Sequence, residues 1–467
     1  MEYSLAFDTG SYTVKTVTLE GRTITFRAFE NIVYVKNPVD TAHQILNLYV
    51  PEAYYEGKSI GRFNADNAPI FMPNTVGGYM PGMPEIPGGN KFSGHTNAAF
   101  AALARGYVVA APGARGRTLQ DDKGRYTGTA PACIVDLKAA VRYLRHNRQL
   151  VPGDTDRIIS NGTSAGGALS SLLGASGNHK DYEPYLKELG AAEERDDILA
   201  ASCYCPITNL EHADAAYEWM YNGLLEFHRM MRVRNGEQME FKPVSGRMTA
   251  EQAELSGKVK ALFPAYLNGL GLKGTGNTAL GLDADGEGSF KDLVKAYVVS
   301  SAQKALETGA DLSGLTWITM ENGTVTDIDF DEYVQYAARM KPALAFDQVD
   351  LSTPENELFG TALIKARHFT AFGADHSTAG GELAEPQIVK MMNPMNYIGN
   401  EENVTAQHWR IRHGAVDRDT SLAVPVILAT CLQNQGFDVD FALPWGQGHG
   451  GDYDLDELFA WMDQILG

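Results

Sequence analysis

Residues 157–171 read RIISNGTSAGGALSS, a β-branched run ending in a serine whose neighbours are nearly all small. A serine hydroxyl is a poor nucleophile until a base takes its proton and a third group holds that base. Gly162-Thr163-Ser164-Ala165-Gly166 has the spacing of a sharp strand-to-helix turn. Such a turn lifts the Ser164 Oγ clear of the chain and aims the Ala165 amide at a developing oxyanion. Its crowding is relieved only by residues with almost no side chain, which explains the glycines and alanines. The bland alternative is a Gly-rich connection with an incidental serine. The strand before and the helix after favour acyl transfer through Ser164.

The partners of such a serine follow it in the order acid, then histidine, on loops after the last strands. HWRIRHGAVDRDTS supplies Asp417 at a strand end, with Asp419 two residues on. FALPWGQGHGGDYD supplies His449 between the final strand and the final helix. His413 competes as the base, but it precedes the acid, so its strand would hold it below Asp417, where packing or hydrogen bonding suits it. Asp419 competes as the acid, although a helix N-cap before SLAVPVILA is an ordinary use for it. The spacing selects Ser164, Asp417 and His449. A second oxyanion donor is expected from the loop after the third strand of the sheet, where IFMPNTVGGYMPG places Gly77-Gly78. The amides of Gly78 and Ala165 are the choice; the alternative for the glycine pair is a plain β-turn.

Elements must deliver these residues to one rim. YTVKTVTLEGRTITFRAF alternates and turns at Glu20-Gly21, as a hairpin does. HQILNLYVP, APIFMPN, GYVVAAPG, DRIIS and DILAASCYCPI read as strands, and CIVDLKAAVRYLRHN and GALSSLLGA as helices between them. Strands alternating with helices predict an α/β fold with a mainly parallel sheet. From Pro206 to about Asn393 the alternation stops. Thr249-x-x-Gln252 and Ser289-x-x-Asp292 look like helix starts there, and the segment reads as mainly helical. Strand signals resume in HWRIRHG and FDVDFALPW, and DLDELFAWMDQIL is a last helix. The economical division is a discontinuous core, 1–205 with 394–467, interrupted by a helical lid or substrate-binding insertion, 206–393.

The bulk numbers restrict the partners. The chain has 467 residues, 39 Lys+Arg against 58 Asp+Glu, and a formal charge of −19. That acidity argues against nucleic acid and anionic membranes and is compatible with a neutral or phenolic substrate. MEYSLAFDTGSYTV has neither a basic start nor an apolar stretch, so no secretory signal is expected. Four cysteines, Cys133, Cys203, Cys205 and Cys431, are too few and too oddly spaced for a disulfide framework, which suggests a cytoplasmic enzyme with reduced thiols. DADGEG lacks the spacing of a calcium loop, and no H-E-x-x-H, paired C-x-x-C or phosphate loop occurs, so no metal or cofactor is expected.

Several blocks taken together are specific: MPNTVGGYMPG, RGYVVAAPGARGRT, NGTSAGGALS, CPITNLEHADAAYEW, AFDQVDLSTPENELFG and HWRIRHGAVDRDTS. On these the chain resembles the bacterial tannases (tannin acyl hydrolases) along essentially its whole length. The resemblance implies an α/β-hydrolase fold and a serine esterase that releases gallic acid from galloyl esters. It implies the same triad, Ser164, Asp417 and His449. It also implies that Lys341, Glu355 and Asp419 hold the phenolic hydroxyls, a role nothing in the residues alone assigns to Lys341 or Glu355. In secreted fungal relatives a disulfide joins the residue before the serine to the one after the histidine; Thr163 and Gly450 stand there in this chain. A small-molecule ester is thus the expected partner of a monomer or weak homo-oligomer. The alternative is a feruloyl or general carboxylesterase of the same fold.

Overall fold

The computed structural model describes residues 2–89, 95–235 and 238–467, and the side chains of 230–241 are not among what it describes. Nine strands form one sheet. In chain order its members are β1 (Thr13–Leu19), β2 (Arg22–Val33), β3 (Ile45–Pro51), β4 (Pro69–Pro73), β5 (Val108–Pro112), β6 (Asp154–Thr163) and β7 (Ala200–Tyr204). A long segment follows, containing the hairpins β8 (Glu226–Asn235) with β9 (Gln238–Arg247) and β10 (Ile318–Glu321) with β11 (Thr324–Ile328). The sheet is then completed by β12 (His408–Arg412) and β13 (Asp438–Ala442). The strand order is β1-β2-β3-β5-β4-β6-β7-β12-β13. From β5 through β13 every pairing is parallel, while β1, β2, β3 and β5 pair antiparallel. The sheet is therefore mixed and mostly parallel, with helices on its faces.

Local sequence explains the central strands. β4, β5 and β7 are buried at every position, as strands covered on both faces by helices must be. Where the helix Ala165–Ala175 crosses the sheet, a Cβ on Gly174 would fall 2.9 Å from the Trp409 ring and 3.0 Å from Ala201. Small residues let this helix lie close to β7 and β12. Chain order reverses between β4 and β6, with β5 on the far side of β4. Such a reversal opens a crevice at the carboxyl ends of the strands, and ligands bind in crevices of that kind.

Between β7 and β12 the chain forms helices, including Leu210–Tyr221, Ala250–Lys260, Ser289–Glu307 and Pro354–Leu358. The two hairpins are additions to the helical expectation. Helical periodicity in YEWMYNGLLEFHRMM runs only to Tyr221, and β8 begins at Glu226. The sequence carries an Asn-Gly step at 235–236 and another at 322–323, the strongest short-range hairpin signal. In the second, Asn322 and Gly323 both take positive φ, 52° and 79°, as a two-residue turn of this hand requires. Thr249 caps its helix through a full capping box, whereas Gly288, not Ser289, occupies the other cap. The Ser289 hydroxyl instead bridges the Ala279 carbonyl and the Gly281 amide. No helix among the described residues is long and apolar enough to cross a membrane.

Candidate active site

Ser164 sits between the end of β6 and the helix Ala165–Ala175, at φ 62° and ψ −122°. A serine held in that region stores about 1–3 kcal/mol of backbone strain, and close packing on every side keeps it there. A Cβ on Gly162 would meet the Gly166 carbonyl at 2.3 Å, one on Gly166 would meet Asn74 Oδ1 at 2.6 Å, and one on Gly167 the Tyr204 carbonyl at 2.5 Å. The Ser164 amide donates to that same Tyr204 carbonyl at 2.9 Å. The small neighbours are thus a steric requirement of the turn.

Asp417 lies beyond β12 and His449 beyond β13. The Ser164 hydroxyl donates to His449 Nε2 at 2.8 Å, and His449 Nδ1–H donates to Asp417 Oδ2 at 2.9 Å. The Asp417 side chain is fully buried and that of His449 is one-quarter exposed. Burial works against the Asp417 carboxylate, but His449, His413 and the Asp419 amide outweigh it and bring its pKa down to about 2. Burial also works against a charged His449. The carboxylates of Asp417 and Asp419, with the Cys205 sulfur, overcome it and hold the imidazole well above the ordinary histidine range.

The competitors are placed elsewhere. His413 Nδ1 stands 3.6 Å from Asp417 Oδ2, beyond hydrogen-bond reach, and among the described residues neither of its ring nitrogens finds a hydrogen-bond partner. Burial lowers the pKa of that ring against the pull of Asp417. Asp419 does not cap the following helix, which starts at Ala423. Its amide donates to Asp417 Oδ1 at 2.9 Å and its carboxylate accepts from Lys341 Nζ at 2.8 Å. Lys341 also lies 4.2 Å from the centre of the Phe346 ring. Burial disfavours its ammonium, but Asp419 and Glu355 more than compensate and raise its pKa. Glu355 is buried in the helix Pro354–Leu358, and desolvation raises its pKa against the pull of Lys341. Lys341 and Asp419, mostly buried, thus pair beside the Ser–His–Asp chain, with the buried Glu355 within electrostatic reach of both.

Gly78 takes φ 54° in the loop after β4. That loop is stitched to the serine turn by Asn74, whose Nδ2 reaches the Asn161 carbonyl (3.2 Å), the Gly166 carbonyl (3.1 Å) and Ser170 Oγ (3.1 Å). Ala165 is the first residue of its helix, where the amide has no intrahelical acceptor.

Sequence reasoning missed several supports. The Tyr217 hydroxyl accepts from the Met340 and Lys341 amides at 3.1 Å and donates to the Arg418 carbonyl at 3.1 Å, linking the lysine to the acid loop. Arg339 pairs with Glu218, both side chains fully buried, and donates to the Lys341 carbonyl at 3.0 Å. Cys205 donates its S–H to the Gly450 carbonyl at 3.3 Å, beside the histidine. Thr163 Oγ1 fills the place a Cβ on Gly451 would need, so contact packing and this thiol hold the His449 loop. The EHADAAYEW pattern, with a tyrosine and a glutamate on one helix, was the available cue.

The BD-FAE family matches residues 70–227. A tannase from Fusobacterium nucleatum is 52% identical, with 100% of each chain covered and a TM-score of 0.96. A tannase from Lactobacillus plantarum is 47% identical over 99% of this chain and 100% of that one, also with a TM-score of 0.96. A tannin acyl hydrolase solved in complex with ethyl gallate is 47% identical over 99% of each chain, with a TM-score of 0.93. Esterase LipQ of Mycobacterium tuberculosis is 34% identical over 106 residues, 24% of its own length.

Proposed function

The chain belongs to the tannase family and is a carboxylic ester hydrolase; from that premise we propose that Ser164, His449 and Asp417 hydrolyse galloyl esters to gallic acid through a galloyl-enzyme. The observation that carries the reading is the unbroken run Ser164 Oγ to His449 to Asp417, at 2.8 and 2.9 Å. His449 Nε2 takes the serine proton as Oγ attacks the ester carbonyl, and Asp417 fixes the tautomer and stabilises the imidazolium. The amides of Gly78 and Ala165 receive the oxyanion. His449 then protonates the leaving alcohol, and water, deprotonated by the same imidazole, releases gallic acid.

Lys341, Glu355 and Asp419 select the acyl group. Their cluster combines two carboxylate acceptors with one ammonium donor, which matches a row of phenolic O–H groups. A ring lacking hydroxyls leaves those buried groups unpaired, and such sites discriminate strongly. The complex of a relative with ethyl gallate supports this choice over a feruloyl or general carboxylesterase. The same reading treats residues 206–393 as a substrate-binding insertion on the core 1–205 and 394–467, in a cytoplasmic monomer or weak homo-oligomer. The four free cysteines fit a reducing compartment.

Steady-state assays on methyl gallate, methyl ferulate and nitrophenyl acetate test the proposal. Methyl gallate should have the highest kcat/KM, and Ser164→Ala should abolish its turnover. Preference for ferulate, or near-native rates in the alanine variant, would overturn it.

A further inference from the structure

Arg117 touches two parts of the site that are far apart in sequence. Its Nε donates to the Gly78 carbonyl at 2.8 Å, and its own amide donates to the Tyr79 carbonyl at 2.9 Å. Its Nη1 pairs with Glu357, which lies on the helix Pro354–Leu358, two residues beyond Glu355. Lys365 Nζ holds the other Glu357 oxygen at 2.9 Å. The Arg117 side chain is 12% exposed. Gly78 and Tyr79 both take positive φ, 54° and 53°, so the loop they form needs holding from outside. The backbone beside Arg117 is packed tightly against this loop on one side and against Gly128 on the other. A Cβ on Gly116 would stand 2.2 Å from the Pro81 amide nitrogen, and one on Gly128 would stand 2.0 Å from the Gly116 carbonyl.

We infer that Arg117 is a positioning residue tying the oxyanion loop to the helix that carries Glu355, so that galloyl recognition and oxyanion stabilisation are set together. The inference rests on the roles proposed above for Gly78 and Glu355. A guanidinium suits the task because its rigid fork serves two acceptors at once, which an ammonium on a flexible stem does not. When the phenolic hydroxyls engage Glu355, the helix is fixed, and through Glu357 and Arg117 the Gly78 peptide is fixed with it. Part of the gallate preference then resides in kcat, not only in KM.

The full chain and its Arg117→Ala, Arg117→Lys and Glu357→Gln variants test this with a fluorophosphonate, which reacts with the serine without using phenol-binding groups. Removing an oxyanion donor outright costs about a hundredfold or more in rate. A loosened donor should slow labelling of Ser164 by about tenfold in each variant, lower kcat by a similar factor on nitrophenyl acetate and by more on methyl gallate, and raise KM for methyl gallate alone. Arg117→Lys should restore the melting temperature without restoring the rate. Folded variants that label and turn over within about twofold of native would overturn the inference. Arg117→Lys and Glu357→Gln retain side-chain volume and carry the test if the alanine variant fails to fold. A native chain that hydrolyses methyl gallate without labelling at Ser164 would instead overturn the reading beneath it.

Discussion

The Ser164–His449–Asp417 rim and the Lys341–Glu355–Asp419 cluster are built in opposite ways. Ser164, Asp417, His449 and the Gly78 loop each follow a strand of one sheet, so a regular scaffold fixes their separation. Lys341 and Glu355 come from the helices and hairpins between β7 and β12, and polar contacts fix the Lys341 segment: Asp419 on Lys341, Glu218 on Arg339, and the Tyr217 hydroxyl across three backbone groups. The rim depends on topology and tolerates change away from its few reacting groups. The cluster depends on mutual compensation, so removing one member strands the others in a low-dielectric interior. Asp417 and Asp419 join the two, one carboxylate serving His449 and the next serving Lys341.

Substitutions at the two regions should separate chemistry from recognition. Asp417→Asn should have the largest effect, lowering kcat by about a thousandfold or more because the histidine loses its tautomer and its counter-charge. It should also move the acidic limb of the kcat/KM profile. The base must be neutral, and Asp417 raises the His449 pKa, so native activity should fall from above the ordinary histidine value as pH drops. Removing the carboxylate should shift that midpoint downward. A limb that stays put would mean another group controls it.

Next comes stability. Glu218→Gln breaks the buried pair with Arg339 and should cost about 3 kcal/mol or more, seen as a lower denaturation midpoint. Variant that remains folded should still label at Ser164 while its KM for methyl gallate rises. Lys341→Met should cost about 2 kcal/mol in kcat/KM for methyl gallate and far less for nitrophenyl acetate; equal losses on both would make the lysine structural. Smallest is Asn74→Ala, expected to lower kcat by about tenfold on both esters, since Asn74 ties the loop after β4 to the serine turn. An effect confined to gallate would place Asn74 on the recognition side.

The same contrast governs what the sequence discloses. The rim was readable because steric necessity writes itself into residue type: Gly162, Gly166 and Gly167 are small where Asn74 and two carbonyls press in, and β4, β5 and β7 are apolar throughout. The order serine, acid, histidine follows from the order of strands. The cluster was not readable from the residues alone. A buried lysine and glutamate look like surface ones until their partners are known, and those partners lie up to 78 positions away in the case of Lys341 and Asp419. Only resemblance to the tannases pointed to Lys341 and Glu355. Arg117 gave no cue because ARGRTLQDDKGR is almost wholly polar and charged, whereas Arg117 turns inward to the Gly78 carbonyl. The hairpins fall outside the helical expectation for 206–393, which rests on two capping patterns and gives no weight to the Asn-Gly steps at 235–236 and 322–323.

Acid-quenched turnover of methyl gallate followed by peptide mapping tests the central assignment most directly. The expected result is a galloyl group covalently bound on the peptide containing Ser164 and absent in Ser164→Ala. A galloyl adduct on any other residue, or steady turnover in the alanine variant with no adduct at all, would contradict it.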